Sequence, residues 1–271
     1  MPGFDPAGST VVVTGAGNGI GAGLATSMAR RGARVVVADL DADGAQRTVD
    51  DIIAAGGTAL AAPGDAASQE GVDALITTAR AAYGPIDAWF ANAGVDRGRG
   101  LDATDADWDL SWNVNVLAHV HAARRLVPEW IERGGGRFVV TASAAGLLTM
   151  LGAPAYSVTK HGAVAFAEWL STTYRHRGIV VQAICPQGVQ TRMLAQSGEL
   201  EELLSHDVAL TVDDVAAAVE KALEGDDFLI LPHAEVAGYY QVRAAKTDKW
   251  LAGMNKLQQR LDDATSQGGK Q

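Results

Sequence analysis

Short runs of β-branched and other apolar residues alternate along the chain with longer stretches whose apolar positions recur every three or four residues. The runs predict strands at 10–14, 34–39, 58–61, 86–92, 137–141, 179–185 and 228–231. The periodic stretches predict helices at 19–31, 42–55, 69–83, 105–133 and 155–177. Strands that are apolar throughout, rather than at alternate positions, belong to a sheet buried on both faces. The pattern therefore reads as an α/β fold: a doubly wound, seven-stranded parallel sheet of Rossmann type with flanking helices. Ligands of such a sheet lie beyond the C-terminal ends of its strands.

The chain reads as a single domain over 1–271, with the Rossmann core at about 8–232 and a C-terminal helical extension at 233–265. In the extension Trp250, Met254, Leu257 and Leu261 share one helical face. Two roles stay open for that face, packing on its own domain or contact with a neighbouring subunit. Residues 266–271 are expected to fray.

Composition narrows the function. At 271 residues and 48% hydrophobic, the chain can bury a core without disulfides or metals. A net charge of −10, with no Lys/Arg run longer than two, argues against a nucleic-acid partner. The single cysteine, Cys185, lies in an apolar run with no activating base nearby, so it reads as a buried strand residue rather than a nucleophile. One thiol is also compatible with a reducing compartment. The first residues lack the basic region and apolar core of a signal peptide. Residues 138–159 carry no charge, but Gly146, Gly152, Pro154 and several Ser and Thr suit a strand and pocket loop better than a membrane span. The expectation is a cytoplasmic protein with no membrane partner.

The most informative segment runs from Thr10 to Gly21, where a strand enters a glycine-rich turn and then a helix. Gly15 permits the tight turn, while Gly19 and Gly21 allow close approach of backbone to a pyrophosphate and of helix to strand. The helix N-terminus offers free N–H groups and a positive dipole end to phosphates. Asp39 ends the second strand 18 residues after Gly21, where a carboxylate accepts hydrogen bonds from adenosine ribose hydroxyls and repels the extra phosphate of NADP. No Lys or Arg follows Asp39 directly, so the cofactor expected is NAD. Asp39 also has a competing role as N-cap of the next helix.

From Thr14-Gly-Ala-Gly-Asn-Gly-Ile-Gly21 onward, an ordered set of motifs accumulates. Gly64-Asp65, Ala91-Asn92-Ala93-Gly94, Trp108 with Asn115, Gly136-Arg137-Phe138-Val139, Ser143 and Tyr156-Ser-Val-Thr-Lys160 follow in turn. With Ser143 thirteen residues before Tyr156, the chain resembles the short-chain dehydrogenase/reductase family over nearly its whole length. The resemblance implies a catalytic set of Asn115, Ser143, Tyr156 and Lys160. It implies a cofactor shell of Gly15, Asn18, Gly19, Ile20, Asp39, Leu40, Asp65, Ala66, Asn92, Ala93, Gly94, Pro186, Val189 and Thr191, together with Tyr156 and Lys160. In that family-derived picture Tyr156 moves the alcohol proton, Ser143 polarises the substrate oxygen, and Lys160 holds the nicotinamide ribose. Asn115 anchors a water relay, Asp65 meets the adenine amine, and Asn92 ties strands together. Two departures stand out. Ala91 replaces the first of two asparagines, and Gln187 follows Pro186 where the family has Pro-Gly, putting the placement of Val189 and Thr191 near the nicotinamide in doubt.

The residues support the chemistry independently. Tyr156 and Lys160, four apart, share a helix face. A free phenol, with a pKa of about 10, is a poor base at neutrality, and a neighbouring ammonium plus a positive nicotinamide should lower that value. The substrate, expected to be a secondary alcohol or its ketone, is placed among residues 95–100, 144–154 and 191–207, where Leu148, Met150, Met193 and Leu194 read either as walls of an apolar pocket or as core or interface residues. Arg97, Arg99 and Arg192 are candidate partners for a substrate anion, and no metal is needed. By resemblance the chain forms a homotetramer through long helices around Val116 and Ala165. Two alternatives remain, an NADPH-dependent ketone or 3-oxoacyl reductase of the same family and a catalytically silent NAD-binding protein.

Overall fold

The computed structural model describes residues 3–195 and 209–268, with side chains as far as 263. Seven strands, β1 Thr10–Thr14, β2 Arg34–Asp39, β3 Thr58–Pro63, β4 Ala88–Ala91, β5 Gly136–Thr141, β6 Ile179–Ile184 and β7 Leu229–Ile230, form one sheet in the order β3-β2-β1-β4-β5-β6-β7. Every pairing is parallel. The helices are α1 Gly19–Arg30, α2 Ala42–Ala54, α3 Gln69–Tyr83, α4 Asp105–Trp112, α5 Ala118–Arg133, α6 Ala145–Leu148, α7 Pro154–Tyr174, α8 Arg192–Ala195, α9 Val212–Leu223, α10 Glu235–Ala245 and α11 Thr247–Gly268.

Alternate residues of each strand enter opposite cores. On one face Val12, Val36, Trp89, Phe138 and Val181 meet α3, α5 and α7 through Ile76, Leu126 and Leu170. On the other, Val11, Val35, Phe90 and Val139 meet α1, α2 and α9 through Leu24, Ile52 and Val219. The doubly wound expectation holds, and the strand order reverses between β1 and β4. That reversal leaves a crevice at the C-terminal ends of these two strands.

Three expectations are corrected. The helix expected over 105–133 is two helices joined by a π turn at Asn113–Leu117. A wide turn inserts about one residue without interrupting the helical apolar pattern, so periodicity alone does not register it. The extension is two helices meeting near Lys246, not one, and α11 continues to Gly268, into the stretch expected to fray. Residues 269–271 lie outside the described residues. Val116 is buried within its own chain, and a Cβ added at Gly162 of α7 would lie 3.2 Å from its Cγ2. No helix among the described residues is long and apolar enough to cross a membrane.

Trp130 fastens α5 to the sheet. Its ring is fully buried edge-on to Phe138, 6.3 Å between centroids, and its Nε1–H donates to the Ile86 carbonyl at 2.7 Å. Trp130→Ala should lower unfolding free energy by about 3–5 kcal/mol, read as a fall in the urea midpoint. A loss below about 1 kcal/mol would contradict this anchoring role.

Candidate functional site

The site is built at the strand-order reversal. Gly15 leaves β1 at φ +62° and passes within contact of Ala93, so close that an added Cβ would sit 2.8 Å from the Ala93 Cα. One turn on, a Cβ at Gly21 would lie 2.2 Å from the Gly15 carbonyl oxygen and 2.5 Å from Asn92 Nδ2. Asn92, just past β4, donates through Nδ2 to the Thr14 and Gly15 carbonyls at 3.0 and 3.1 Å. It ties β1 to β4, as expected. Asn18 precedes α1 in extended conformation and makes no side-chain cap, so the first amides of α1 are left for an external acceptor.

Asp39 accepts from the Gly17 amide at 2.8 Å and from the Asp41 amide at 2.9 Å. The N-cap of α2 is Asp41, which accepts from the Gly44 amide, so the competing role for Asp39 falls away. A fixed carboxylate therefore stands at the end of β2 beside the glycine turn. Asp65 accepts from the Ala67 amide at 2.8 Å at the end of β3.

One cavity of about 990 Å³ runs through this region. Gly15, Asn18, Gly19 and Ile20 line it from the turn, Asp39 and Leu40 from the end of β2 and the residue after it, and Asp65 and Ala66 from the loop after β3. Asn92, Ala93 and Gly94 line it from the loop after β4, and Pro186, Val189 and Thr191 from the loop after β6. Ser143, Tyr156 and Lys160 border the same space. Asn115 does not. It is fully buried behind the cavity, accepting from the Val95 amide at 2.9 Å and donating to the Val95 carbonyl at 2.9 Å and to Thr159 Oγ1 at 3.0 Å. It joins the π turn to the loop after β4 and to α7.

Ser143 follows β5, with its Oγ 3.1 Å from the Ala145 amide. Tyr156 and Lys160 stand in the first two turns of α7. The Lys160 ammonium donates to the Thr141 carbonyl at 2.8 Å and lies 5.6 Å from the Tyr156 ring centre. Gly94 makes room, since a Cβ there would come within 3.2 Å of Lys160 Nζ and 3.3 Å of Asn115 Oδ1. Between Ser143 and Tyr156, Thr149 lines the cavity at φ +70°, a strained backbone for a non-glycine residue. Ser157 Oγ holds the next residue, accepting from the Met150 amide at 2.9 Å.

Electrostatics depart from the expectation for Tyr156. Burial pushes its phenol up to about 12, against a smaller lowering by hydrogen bonding to Ser143. Burial likewise pushes Lys160 down to about 8. In the protein alone, desolvation of the phenolate outweighs any help from the ammonium. Cys185 is buried and its thiol is pushed up to about 12 by desolvation, which removes the thiolate character a nucleophile needs.

The expected substrate loops contribute Val95, Asp96, Arg97, Ala144, Leu148, Met150, Met193 and Leu194 to the cavity, while residues 196–207 of the third segment lie outside the described residues. Arg99 is instead paired with Asp96 at 2.8 Å, and Arg192 does not line the cavity. Gln187 does line it, and its amide donates to His233 Nδ1 at 3.1 Å. Sequence reasoning missed a further wall: Tyr239 and Val242 of α10 and Trp250, Met254 and Leu257 of α11. Three of these were visible as an amphipathic face, but nothing local said what the face would meet.

The family model described as short chain dehydrogenase matches residues 9–202. The chain belongs to the short-chain dehydrogenase/reductase family. Over 228 residues it is 34% identical to a 1-deoxy-11-beta-hydroxypentalenate dehydrogenase of Streptomyces exfoliatus, covering 83% of this chain and 82% of the relative. A cyclohexanol dehydrogenase of Acinetobacter sp. is 30% identical over 241 residues, 88% of this chain and 94% of the relative. The structure of a short-chain dehydrogenase/reductase from Burkholderia phymatum in complex with NAD superposes with a TM-score of 0.83 at 29% identity, covering 90% of this chain and 96% of that one. The match of this family's member to residues 9–202 leaves α9, α10 and α11 beyond the family model.

Holding Lys160 in a buried site costs stability. Its pKa is about 8 in the folded chain against 10.5 ordinarily, so the folded state disfavours the ammonium. Below about pH 8 the penalty is fully present, and it fades between 8 and 10.5, where only the unfolded chain still binds the proton. The gross penalty is up to roughly 3 kcal/mol, partly offset by the bond to Thr141. Lys160→Met should therefore stabilise the cofactor-free protein at pH 7 by about 1–2 kcal/mol, with the difference shrinking toward pH 10.5. Denaturant titrations at pH 7 and 10 test this, and a variant less stable at pH 7 would refute it.

Proposed function

We propose that the chain is an NAD-dependent oxidoreductase that transfers a hydride between a secondary alcohol or its ketone and the nicotinamide. The observation that carries this reading is the convergence of Ser143, Tyr156 and Lys160 on one end of a cavity whose other end is the glycine turn with Asp39. Bound NAD would supply the hydride acceptor and, at its oxidised ring, a positive charge. The α1 amides would hold its phosphates, Asp39 its adenosine ribose, and Asp65 its adenine. Val189 and Thr191 would approach the nicotinamide side.

In alcohol oxidation Tyr156 Oη takes the hydroxyl proton while Ser143 Oγ hydrogen-bonds the same oxygen and stabilises its changing charge. Reduction reverses the proton's direction. Because burial raises the Tyr156 phenol, the free site keeps it protonated, which suits donation to a ketone. For oxidation the phenolate needs more positive charge than Lys160 alone provides. Asn115 acts at a distance from the substrate, setting the loop that carries Val95 and the helix that carries Lys160. A fixed Asp39 followed by Leu40 and Asp41 offers nothing to neutralise a ribose phosphate, which supports NAD over NADP. Relatives named for cyclohexanol and for a hydroxypentalenate support an alcohol as substrate.

The same reading includes a cytoplasmic homotetramer. Its support is the groove between α5 and α7, where Val120, Val127 and Ile131 face Phe166, Trp169 and Tyr174, and where Trp169 is 54% exposed in the single chain. Light scattering at a mass of four chains would agree, and a monomer would not.

The decisive assay follows reduced-nicotinamide absorbance with NAD or NADP over a panel of secondary alcohols. NAD is expected to support turnover, and Tyr156→Phe to lower kcat by about 10²–10⁴-fold while still binding NAD. A preference for NADP would overturn the argument from Asp39. Tight NAD binding without turnover of any alcohol would favour a silent binder.

A further inference from the structure

We infer that the cavity takes an alcohol or ketone that also carries a carboxylate, and that Arg97, with Lys249 as a second cation, holds that anion. The inference rests on the proposed oxidoreductase reading for the reacting carbon, whereas the cations are a feature of the chain itself. Of the three arginines that the sequence offers to a substrate anion, Arg99 is spent on Asp96, at 2.8 and 3.0 Å, and Arg192 does not line the cavity. Arg97 lines it, is exposed, and makes no ion pair among the described residues. Lys249, in the first turn of α11, also lines it and is likewise exposed and unpaired among the described residues.

Arg97 belongs to the loop that leaves the reacting centre. Val95, two residues before it, is bonded through both its amide and its carbonyl to Asn115. Gly94, one residue earlier, leaves the room that the Lys160 ammonium occupies. The charge of Asp96, the residue between Val95 and Arg97, is felt at both Tyr156 and Lys160. A loop fixed at this point carries the guanidinium onto the cavity wall from the Tyr156 and Lys160 end.

The distribution of charge gives the ligand its sign. Asp39 and Asp65 line the cavity beside the glycine turn and at the end of β3, and each accepts from backbone amides. Asp96 is only 5% exposed at its side chain and is neutralised by Arg99. Lys160 is buried and donates to the Thr141 carbonyl. Around the reacting groups, the lining charges left for a ligand to meet are therefore those of Arg97 and Lys249. Neighbouring acids do not quench them: Asp107 spends its carboxylate on the Thr104 cap of α4, and Asp248, adjacent to Lys249 on its helix, diverges from it. Unpaired cations on the walls of a concave site attract an anion, and the guanidinium fork matches a carboxylate. Leu148 and Met150 line the same space, and apolar walls that exclude water strengthen such a pair.

The test titrates 4-oxocyclohexanecarboxylate and its methyl ester into the NADH-saturated protein by calorimetry, with 6-oxoheptanoate and its methyl ester as a longer, flexible pair. At least one acid is expected to bind about tenfold more tightly than its ester at low salt, with the ratio shrinking in 500 mM NaCl. Arg97→Gln and Lys249→Gln should each lower that ratio by about threefold, and the double variant should bring it to about one. Both residues are exposed, and the melting curve of each variant is the folding control. Esters that bind as well as both acids, or a ratio unchanged in the double variant, would overturn the inference. An Arg97→Gln variant that loses NADH affinity but keeps the preference for the acid would assign the cation to the cofactor and also overturn it. Should no nicotinamide bind, the proposed function fails, and the same acid and ester titrations into the free protein still decide whether the cations hold an anion.

Discussion

The close approach of the β1 turn to the end of β4 is the constraint on which the site depends. Parallel strands wound in opposite directions from a central pair leave a gap where the order reverses, but a gap alone binds nothing. Here Gly15 passes so near Ala93, and Gly21 so near the Gly15 carbonyl and Asn92, that any side chain would force the elements apart. The Asn92 amide then bridges two carbonyls of the turn. Close packing brings the start of α1, the carboxylate of Asp39 and the end of β4 into one cleft. Gly94 extends the same logic two residues on, clearing space for Lys160 and Asn115.

Against this rigid frame, the reacting groups are held at a cost. Lys160 and Tyr156 are both moved by burial away from their ionic forms, the forms that the proposed oxidation would use. Lys160 donates to the Thr141 carbonyl at the end of β5 and stands beside Asn115, which is itself fully bonded to the Val95 loop and Thr159. Thr149 adds backbone strain in the neighbouring loop. Such features concentrate where function requires them and are compensated by the buried sheet on either side.

Legibility from sequence followed the range of the interactions involved. β1 and β2 were readable residue for residue, because β-branched runs buried on both faces have few other solutions. The start of β4 was drawn too early, at Ile86 rather than Ala88, because Ile86 is apolar for a different reason: it lies in the core while its carbonyl receives Trp130. The glycine turn, Asp39 and the Ser143–Tyr156–Lys160 spacing were visible because each is local chemistry at a fixed offset. Asn115 was found by the same pattern, but its burial away from the cavity depends on a π turn that leaves no periodic trace. At Tyr156 the sequence shows a charge nearby and not the solvent removed from both groups, and in the protein alone burial sets the direction of the shift.

The extension shows the limit most clearly. An amphipathic face at 250, 254 and 257 demands a partner without naming it, and packing on its own domain or on a second subunit satisfies the pattern equally. What decides between them is the position of α10, and that depends on contacts from His233 to Gln187 and from Arg243 to Leu147, 46 and 96 residues apart. Gln187 illustrates how a local departure acquires meaning only at long range. In sequence it is an irregularity beside the nicotinamide loop, whereas in the fold its backbone amide anchors the segment that closes the far side of the cavity. The glycine turn and the Ser143, Tyr156 and Lys160 side chains thus line the cavity from the crevice outward, and the C-terminal helices reach back over the same space.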